Sequence, residues 1–330
     1  MEGARACECS IRLSLPRVLP LKQTVKTVFP RWRIIRRVVT FLLATVGVAL
    51  GGFGAWYVWF THRSQPTPEQ RQLFEGVSYT RDVRIFPRPV IIHVVSIDLR
   101  CRGISFLVTP GNPGQKLPLR GQTTAEFLSN NSLQVAVNGD YFYPFHSDSI
   151  FSYYPHSGDP VTVEGIGASD GTIYSNQTYK SKFPTLYISK NNSATFNRTR
   201  YPIYNAISGL CMLVKDGNNL YSNGGGTSKP EPNTAVALDR KGSKLMIFVV
   251  DGRQSNFSGG VTFKEFADII RSYGGWSAMD LDGGGSETLV AQGVGGVPIT
   301  LNYPIDCRIP GRERVVANHL GVRALKLPRP

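Results

Sequence analysis

The chain has 330 residues, 41% hydrophobic and 18% charged, which excludes a disordered polymer and fits one large domain or two small ones. The formal charge of +14 raises nucleic acid as a partner, but the charge is not arranged as a basic face. Half of it sits in residues 1–37, where nine Lys and Arg face only Glu2 and Glu8, and the rest is spread thinly, so no nucleic acid is expected.

In chain order, the basic tail of residues 1–37 precedes Val38–Phe60, 23 residues without a charge. As a helix this stretch spans roughly 35 Å, enough for a hydrocarbon core of about 30 Å. Arg31, Arg33, Arg36 and Arg37 stand at its near end and Trp56, Tyr57 and Trp59 at its far end, where amphipathic rings favour the interface. The positive-inside rule places 1–37 in the cytoplasm and the remainder outside, in a periplasmic, extracellular or lumenal space. The stretch is longer than the apolar core of a cleaved signal peptide and ends in bulky aromatics, so an uncleaved anchor in the lipid bilayer is expected over 38–60. Residues 61–75, with two prolines in "THRSQPTPEQRQ", read as a linker or stalk.

The remaining chain reads mostly as β. "PVIIHVVSIDL" (89–99) is a strand rich in β-branched residues, and "GISFLVTP" (103–110) is its expected partner. "TTAEFLSNN" (123–131) is a short helix opened by a hydroxyl cap, and "LQVAVNGDYF" (133–142) is a strand running into a polar and aromatic turn. Residues 150–205, rich in Ser, Tyr, Asn and Gly, read as excursions from the β core. "TAVALDRKGSKLMIFVVDG" (234–252) predicts a hairpin of two alternating strands. "TFKEFADIIRSYGG" predicts the best helix: Thr262 and Glu265 form a capping box, Phe263, Phe266, Ile269, Ile270 and Tyr273 share one face, and Gly274 and Gly275 stop it. The strand "WSAMDLD" follows. Two strands around this helix therefore end in acids, Asp251 and Asp282, and a parallel pairing brings both to one sheet edge, where ligands bind. Cys101, Cys211 and Cys307 read as small buried hydrophobes; they have no zinc-ligand spacing, and Cys7 and Cys9 fall in the tail. Glycosylation sequons occur at Asn130, Asn176, Asn191, Asn197 and Asn256.

The stretch "MDLDGGGSETLV" (279–290) places Asp280 and Asp282 ahead of Gly283, Gly284 and Gly285. A calcium loop fails, because Ala291 stands where the closing Glu is required. The Walker and dinucleotide glycine patterns are absent. A glycine nest whose amides face an anion remains, with the Ser286 hydroxyl beside it, against a plain turn with solvated acids. "VNGDYF", "SGLCML" and "VVDGRQ" are further apolar strands that end in small or polar groups. Their ends on one side of a sheet would make a cleft of acids, amides and backbone N–H. His93, inside an apolar strand, reads as a satisfied core residue.

"NGDYF", "SGLCMLVKDG", "PNTAVALDRKGSKLMIFVVDGRQ", "GVTFKEFADIIRSYGGWSAMDLDGGGSETLV" and "RVVANHLGVRA" follow one another in an order that resembles the phosphodiester glycosidase family, over roughly Pro89 to Ala324. The resemblance implies an α+β domain at 76–330 with a mixed, largely antiparallel sheet core and a few helices. It implies hydrolysis of the glycosidic bond of sugar-1-phosphodiesters in extracytoplasmic glycans or polysaccharides, with no cofactor and no metal. The family pattern falls on Asn138, Gly139, Phe142, Ser208, Gly209, Thr234, Asp251, Gly252, Arg253, Asp282, Gly283, Gly284, Gly285, Ser286, Thr288, Arg314 and Asn318. Asp282 and Asp251 are the expected carboxylate pair, since glycosidases stabilise an oxocarbenium-like sugar with two acids. Arg253 or Arg314 is the expected phosphate ligand, with the glycine-loop amides. Tyr141, Phe142 and Tyr143 are candidate sugar platforms, and Asp140 and Asp280 complete the expected binding set. The chain departs from the pattern at Asn233, where a cation is usual, at Asp140, where glycine is common, at Asp280, where asparagine is common, and at Glu287, where a small residue is common. These departures motivate an alternative: a non-catalytic glycan-binding or exopolysaccharide-assembly protein on the same fold.

Overall fold

A computed structural model describes residues 29–148, 152–175, 182–198, 202–254 and 256–328. Residues 1–28 of the basic tail, with Cys7 and Cys9, and the sequon at Asn176 lie outside them. The chain divides into two compact units, Met1–Trp56 and Tyr57–Pro330.

The described part of the first unit belongs to one helix, Phe29–His62, which starts earlier than the uncharged run and takes in Arg33, Arg36 and Arg37. Its stretch Trp32–Phe60 is long and apolar enough to cross a membrane.

The second unit is built on an eight-stranded sheet. Its order is Glu69–Phe74, Val77–Arg84, Val90–Asp98, Lys244–Val250, Asn233–Asp239, Gly275–Leu281, Met212–Lys215 and Asn218–Asn219. Every pairing between these strands is antiparallel. The strands alternate, and each face is apolar. Ala235, Ala237, Phe248 and Val250 face the helix Phe263–Ser272, whose buried stripe is Phe263, Phe266, Ile269 and Ile270. Val236, Ile247, Val249 and Leu281 face a five-stranded sheet. That second sheet runs Pro298–Thr300, Leu289–Gln292, Val135–Asn138, His319–Arg323, Ser105–Val108, and its far face, with Ala136, Val290 and Leu107, is covered by the helix Thr124–Asn130. Helix, sheet, sheet and helix therefore stack in layers, each burying the apolar face of its neighbour.

Described strands that fall mostly within residues 150–205, the stretch expected as excursions, form another five-stranded sheet: Thr172–Ser175, Gly167–Ser169, Asn205–Ser208, Thr185–Ile188, Ala194–Phe196. Its Leu186, Ile188 and Ile207 join the central core.

Both helices open with full capping boxes, Thr123 with Glu126 and Thr262 with Glu265. The fold class is the expected one, but four expectations change. Ser105–Val108 does not pair with Val90–Asp98; it pairs with His319–Arg323 in the other sheet. Lys244–Val250 and Gly275–Leu281 run in the same direction but are not neighbours, because Asn233–Asp239 lies between them and pairs antiparallel with each. The crossover helix spans that extra strand, and both acid ends still reach one edge. Finally, the stretch expected as a linker contains the strand Glu69–Phe74. Upstream of it, the Arg63 guanidinium sits 3.6 Å from the Phe257 ring centroid, and the Gln65 amide donates to the Phe257 carbonyl at 2.8 Å. Ordered chain thus begins before residue 76. Of the cysteines, Cys307 is exposed rather than buried, and Cys101 and Cys211 are partly so.

Candidate active site

The site is built at the ends of the eight-stranded sheet, and the pleat decides which acids enter it. Asp280 is paired across the sheet with Ala235, which is paired with Phe248. Asp280 therefore shares the face of Phe248 and Val250. Asp251, one residue after Val250, leaves on the opposite face.

Asp251 is fully buried there. His93 Nε2 lies 3.0 Å from one of its oxygens, the Tyr303 amide donates to the other at 2.8 Å, and Tyr79 closes the row at 2.8 Å from His93 Nδ1. The expected pairing of Asp251 with Asp282 is replaced by this internal row, and His93 is the satisfied core residue expected. Arg253, two residues on, is exposed and adopts a left-handed backbone at φ 59°. Its Nε donates to Glu231 at 2.7 Å.

The acids that share an electrostatic neighbourhood are Asp282, Asp280, Asp140 and Glu164. Asp282 keeps part of its surface exposed. Burial pushes its carboxyl up to about 6, against the Ser286 hydroxyl, the Arg314 charge and the Gly283 amide, which favour the ionised form. Asp280 is buried, accepts from the Cys211 amide at 2.7 Å, and faces the Tyr141 hydroxyl at 3.5 Å. Burial raises its carboxyl to about 7, and the charge of Asp282 adds to the rise. Asp140 accepts from the Gly165 amide at 3.0 Å; burial holds it well above the usual carboxylate range, with Asp282 and Glu164 pushing the same way. No cluster of three or more His, Cys, Asp or Glu with metal-binding geometry occurs among the described residues.

Several residues of the expected binding set hold this arrangement from behind. Asn138 donates to the Asp282 carbonyl at 2.6 Å and accepts from Thr234 at 3.0 Å and from the Thr288 amide at 3.1 Å. Gly139 accepts from the Asp282 amide and donates to the Asn318 carbonyl, both at 2.9 Å. The Asn318 side chain accepts from the Asp140 amide at 2.8 Å. Ser208 is wholly buried, bonded to the Ile166 amide and to Thr185, so it is a fastening between strands and not a contact surface. Gly209 has no room for a side chain, because a Cβ there would lie 1.7 Å from the Asp280 carbonyl oxygen. Phe142 packs in the core beside Phe145, which removes it as a sugar platform. Tyr141 points its hydroxyl at Asp280, and Tyr143 is exposed.

The glycine loop works differently from a nest. The Gly284 amide donates to Pro232 at 2.9 Å and the Ser286 amide to Gly283 at 3.1 Å, so two of its donors face the protein. Its bare backbone instead admits cations. A Cβ on Gly284, whose φ is +64°, would stand 2.9 Å from the Arg253 guanidinium, and one on Gly285 would stand 2.3 Å from that of Arg314. Two guanidinium groups therefore press against the loop that carries Asp282.

Arg314 links the motif residues Ser286 and Asp282 to a network that lies outside the quoted motifs. It donates to Asp306 at 2.8 Å and to Ser286 at 3.2 Å, and Ser286 donates to Asp282 at 2.6 Å. Asp306 is fully buried and also holds Arg312 at 3.2 Å and the Tyr153 hydroxyl at 2.8 Å. Sequence reasoning missed Asp306, Tyr153 and Arg312. Asp306 and Arg312 are close in the chain but Tyr153 precedes them by about half its length, and the available signal was a lone acid near two arginines. Asn233, at the departure from the usual cation, donates to the carbonyls of Glu231 and Val261, a backbone fastening.

Residues 131–323 match the sequence profile of the phosphodiester glycosidase family. The chain is 26% identical over 261 residues to the human N-acetylglucosamine-1-phosphodiester alpha-N-acetylglucosaminidase, covering 74% of this chain and 48% of that protein. It is 26% identical over 216 residues to the bovine enzyme of the same name, covering 61% and 38%. The chain thus spans about half or less of the length of these relatives. In fold it is similar to the catalytic domain of the zebrafish enzyme of that name, auto-inhibited by its pro-peptide, with a TM-score of 0.53 and 23% identity over 79% of this chain and 85% of that one. A hypothetical protein from Synechocystis gives the same TM-score at 16% identity, over 79% and 64%. The matched segment takes in every expected site residue from Asn138 to Asn318, and the chain belongs to the phosphodiester glycosidase family.

Proposed function

We propose that this protein is a membrane-anchored hydrolase that cleaves the glycosidic bond of sugar-1-phosphodiesters outside the cytoplasm. The observation that carries the reading is the juxtaposition of raised carboxylates with guanidinium groups around one glycine loop. Burial raises the Asp282 carboxyl to about 6 and that of Asp280 to about 7, so between these values one is ionised while the other holds its proton. The ionised carboxylate is suited to stabilise positive charge on the sugar C1 or to take a proton from water. The protonated one is suited to hydrogen-bond the substrate. Arg314, and Arg253 across the loop, supply positive charge for the phosphate. In the net reaction water oxygen bonds to C1, the C1–O bond to phosphate breaks, and its electron pair leaves with a phosphate monoester. That leaving group is already stable as an anion, so little acid catalysis is required of the protein.

The relatives' name makes N-acetylglucosamine 1-phosphodiesters the first substrates to test. The full-length protein in detergent is expected to release free N-acetylglucosamine from its 1-(methyl phosphate), and Asp282→Asn is expected to stop release without loss of fold. Binding of such esters without any turnover would sink the hydrolase reading in favour of a glycan-binding protein. Anchoring is supported by the apolar stretch Trp32–Phe60, with Arg33, Arg36 and Arg37 at its start. Protease added to intact cells or sealed vesicles should reach the domain from the non-cytoplasmic side alone.

A further inference from the structure

The loop that joins Val77–Arg84 to Val90–Asp98 carries Ile85 at 78% and Phe86 at 86% exposure. Exposed apolar residues are ordinary when scattered singly, but two large neighbours held this far into water need a reason. The reason lies in where the chain enters the domain.

The apolar stretch ends at Phe60, and residues 57–60 already belong to the second unit. The Arg63 guanidinium lies 4.9 Å from the Phe60 ring centroid and 3.6 Å from that of Phe257, and it donates to the Gln254 side chain. Three residues of chain reach at most about 10 Å, so the turn around Phe257 stands close to the end of the span. That turn is fastened to the exposed loop. The Gly259 amide donates to the Pro89 carbonyl at 2.8 Å, and the Arg88 guanidinium donates to the Gly260 carbonyl at 3.1 Å. Ile85 and Phe86 therefore stand at the end of the domain that meets the span. The flanking charges are already matched, Arg84 by Asp82 and Arg88 by Glu265, so what this loop offers a partner is apolar contact.

Val294 gives the contrast. It is 96% exposed, but it shares a cleft with Phe74. Phe74 pairs with Val77, and the eight-residue strand from Val77 to Arg84 puts roughly 25 Å between that end and Ile85.

We propose that Ile85 and Phe86 insert into the lipid bilayer that holds the apolar span, as a second foothold of the domain. The proposal rests on the reading of that span as an anchor and adds an orientation to it. Because the span keeps the loop beside the lipid, insertion is an intramolecular step, and two side chains suffice where they would not hold a free protein. The foothold also orients the candidate site. The Asp251 amide donates to the Ile91 carbonyl at 3.1 Å, so the sheet edge where the acid-bearing strands end is the edge held at the lipid surface.

The test uses the full-length protein in nanodiscs of phosphatidylcholine, a neutral lipid that matches the paired charges of the loop. Photoreactive benzoylphenylalanine replaces Phe86 in one sample and Val294 in another; both positions are exposed, so folding should survive. After irradiation, mass spectrometry of the substituted peptide is expected to find at least tenfold more acyl-chain adduct at position 86 than at position 294. Equal yields, or crosslinking of position 86 to a second protein chain in place of lipid, overturn the insertion and leave the anchor standing. Protein that does not co-elute with the discs overturns the anchor and the insertion together.

Discussion

Two strands of the central sheet, Lys244–Val250 and Gly275–Leu281, run the same way, lead into an aspartate, and are followed by glycine. Their ends nevertheless do opposite things. Asp251 turns inward to His93 and the Tyr303 amide and has no exposed surface. Asp282 stays partly open, with its carboxyl raised and two arginines against its loop. The same local pattern thus yields an internal fastening in one place and a candidate reacting group in the other. The difference comes from what packs beyond the strand end: the strand Val90–Asp98 offers a histidine to the first, and a glycine turn leaves the second uncovered.

The widest test of this contrast is paired substitution. Asp282→Asn should lower kcat by about a thousandfold, within the range for a positioned acid or base, while leaving the thermal midpoint nearly unchanged. Asp251→Asn should keep kcat within about tenfold but lose about 1–3 kcal/mol of stability in denaturant titration, the cost of disturbing a buried hydrogen-bonded group. Loss of turnover with normal stability in Asp251→Asn would break the contrast and restore that residue to the chemistry.

A smaller effect is expected at Gly285. Its alanine variant must push the Arg314 guanidinium off the loop. A displacement of that size near reacting groups costs on the order of a hundredfold in kcat/KM. Unaltered kinetics would remove Arg314 from the phosphate's surroundings.

The pH dependence sharpens the roles of the neighbouring acids. A rate that needs one member of the pair ionised and one protonated peaks between about 6 and 7. Asp280→Asn should leave a profile with a single limb; two persisting limbs would exclude Asp280 from the pair. Stability should respond as well. The folded-state value of Asp280 is raised, so its favourable contribution is complete at low pH and is lost as pH rises through about 7. The stability of Asp280→Asn relative to wild type should therefore improve from pH 4 to pH 8.

The mildest expected change concerns Glu287, fully buried with no hydrogen-bond partner on either oxygen. Burial, then the charge of Asp251, holds its carboxyl well above the usual range. By the same sign, Glu287→Gln should raise the thermal midpoint at pH 8, by the equivalent of about 1–2 kcal/mol, with the gain shrinking toward pH 4. A destabilised variant across that range would mean that the charge has a partner in solution.

Much of the scaffold was legible in the residues. The helix Phe263–Ser272 announced itself through its capping box and a one-sided apolar stripe, and the hairpin of Asn233–Asp239 with Lys244–Val250 through strict alternation. Both are local signals, set within a few residues. Glu69–Phe74 was missed because "EQRQLF" is nearly all polar, and only pairing with Val77–Arg84 makes it a strand. The partner of Ser105–Val108 was misread because it comes from His319–Arg323, some two hundred residues away, and sequence adjacency carries no information about that. At the site, Asp282 and its glycines were visible as a motif. The roles of Ser208, Phe142 and the loop amides were not, because each depends on which groups arrive from other strands.

The sequence by itself determined that an apolar stretch precedes a β-rich domain, that two strand ends carry acids to one edge, and that a glycine loop adjoins one of them. Those properties follow from composition, periodicity and the short range of turn and cap chemistry. Only the tertiary structure decided that Glu164, Asp280 and Asp140 are Asp282's acidic neighbours while Asp251 is tied to His93, and that Asp306 ties Arg314 to Arg312. The pleat alternates side chains between faces, so a shift of one residue in register sends an acid into the core or into the cleft. That register is set by partners distant in the chain.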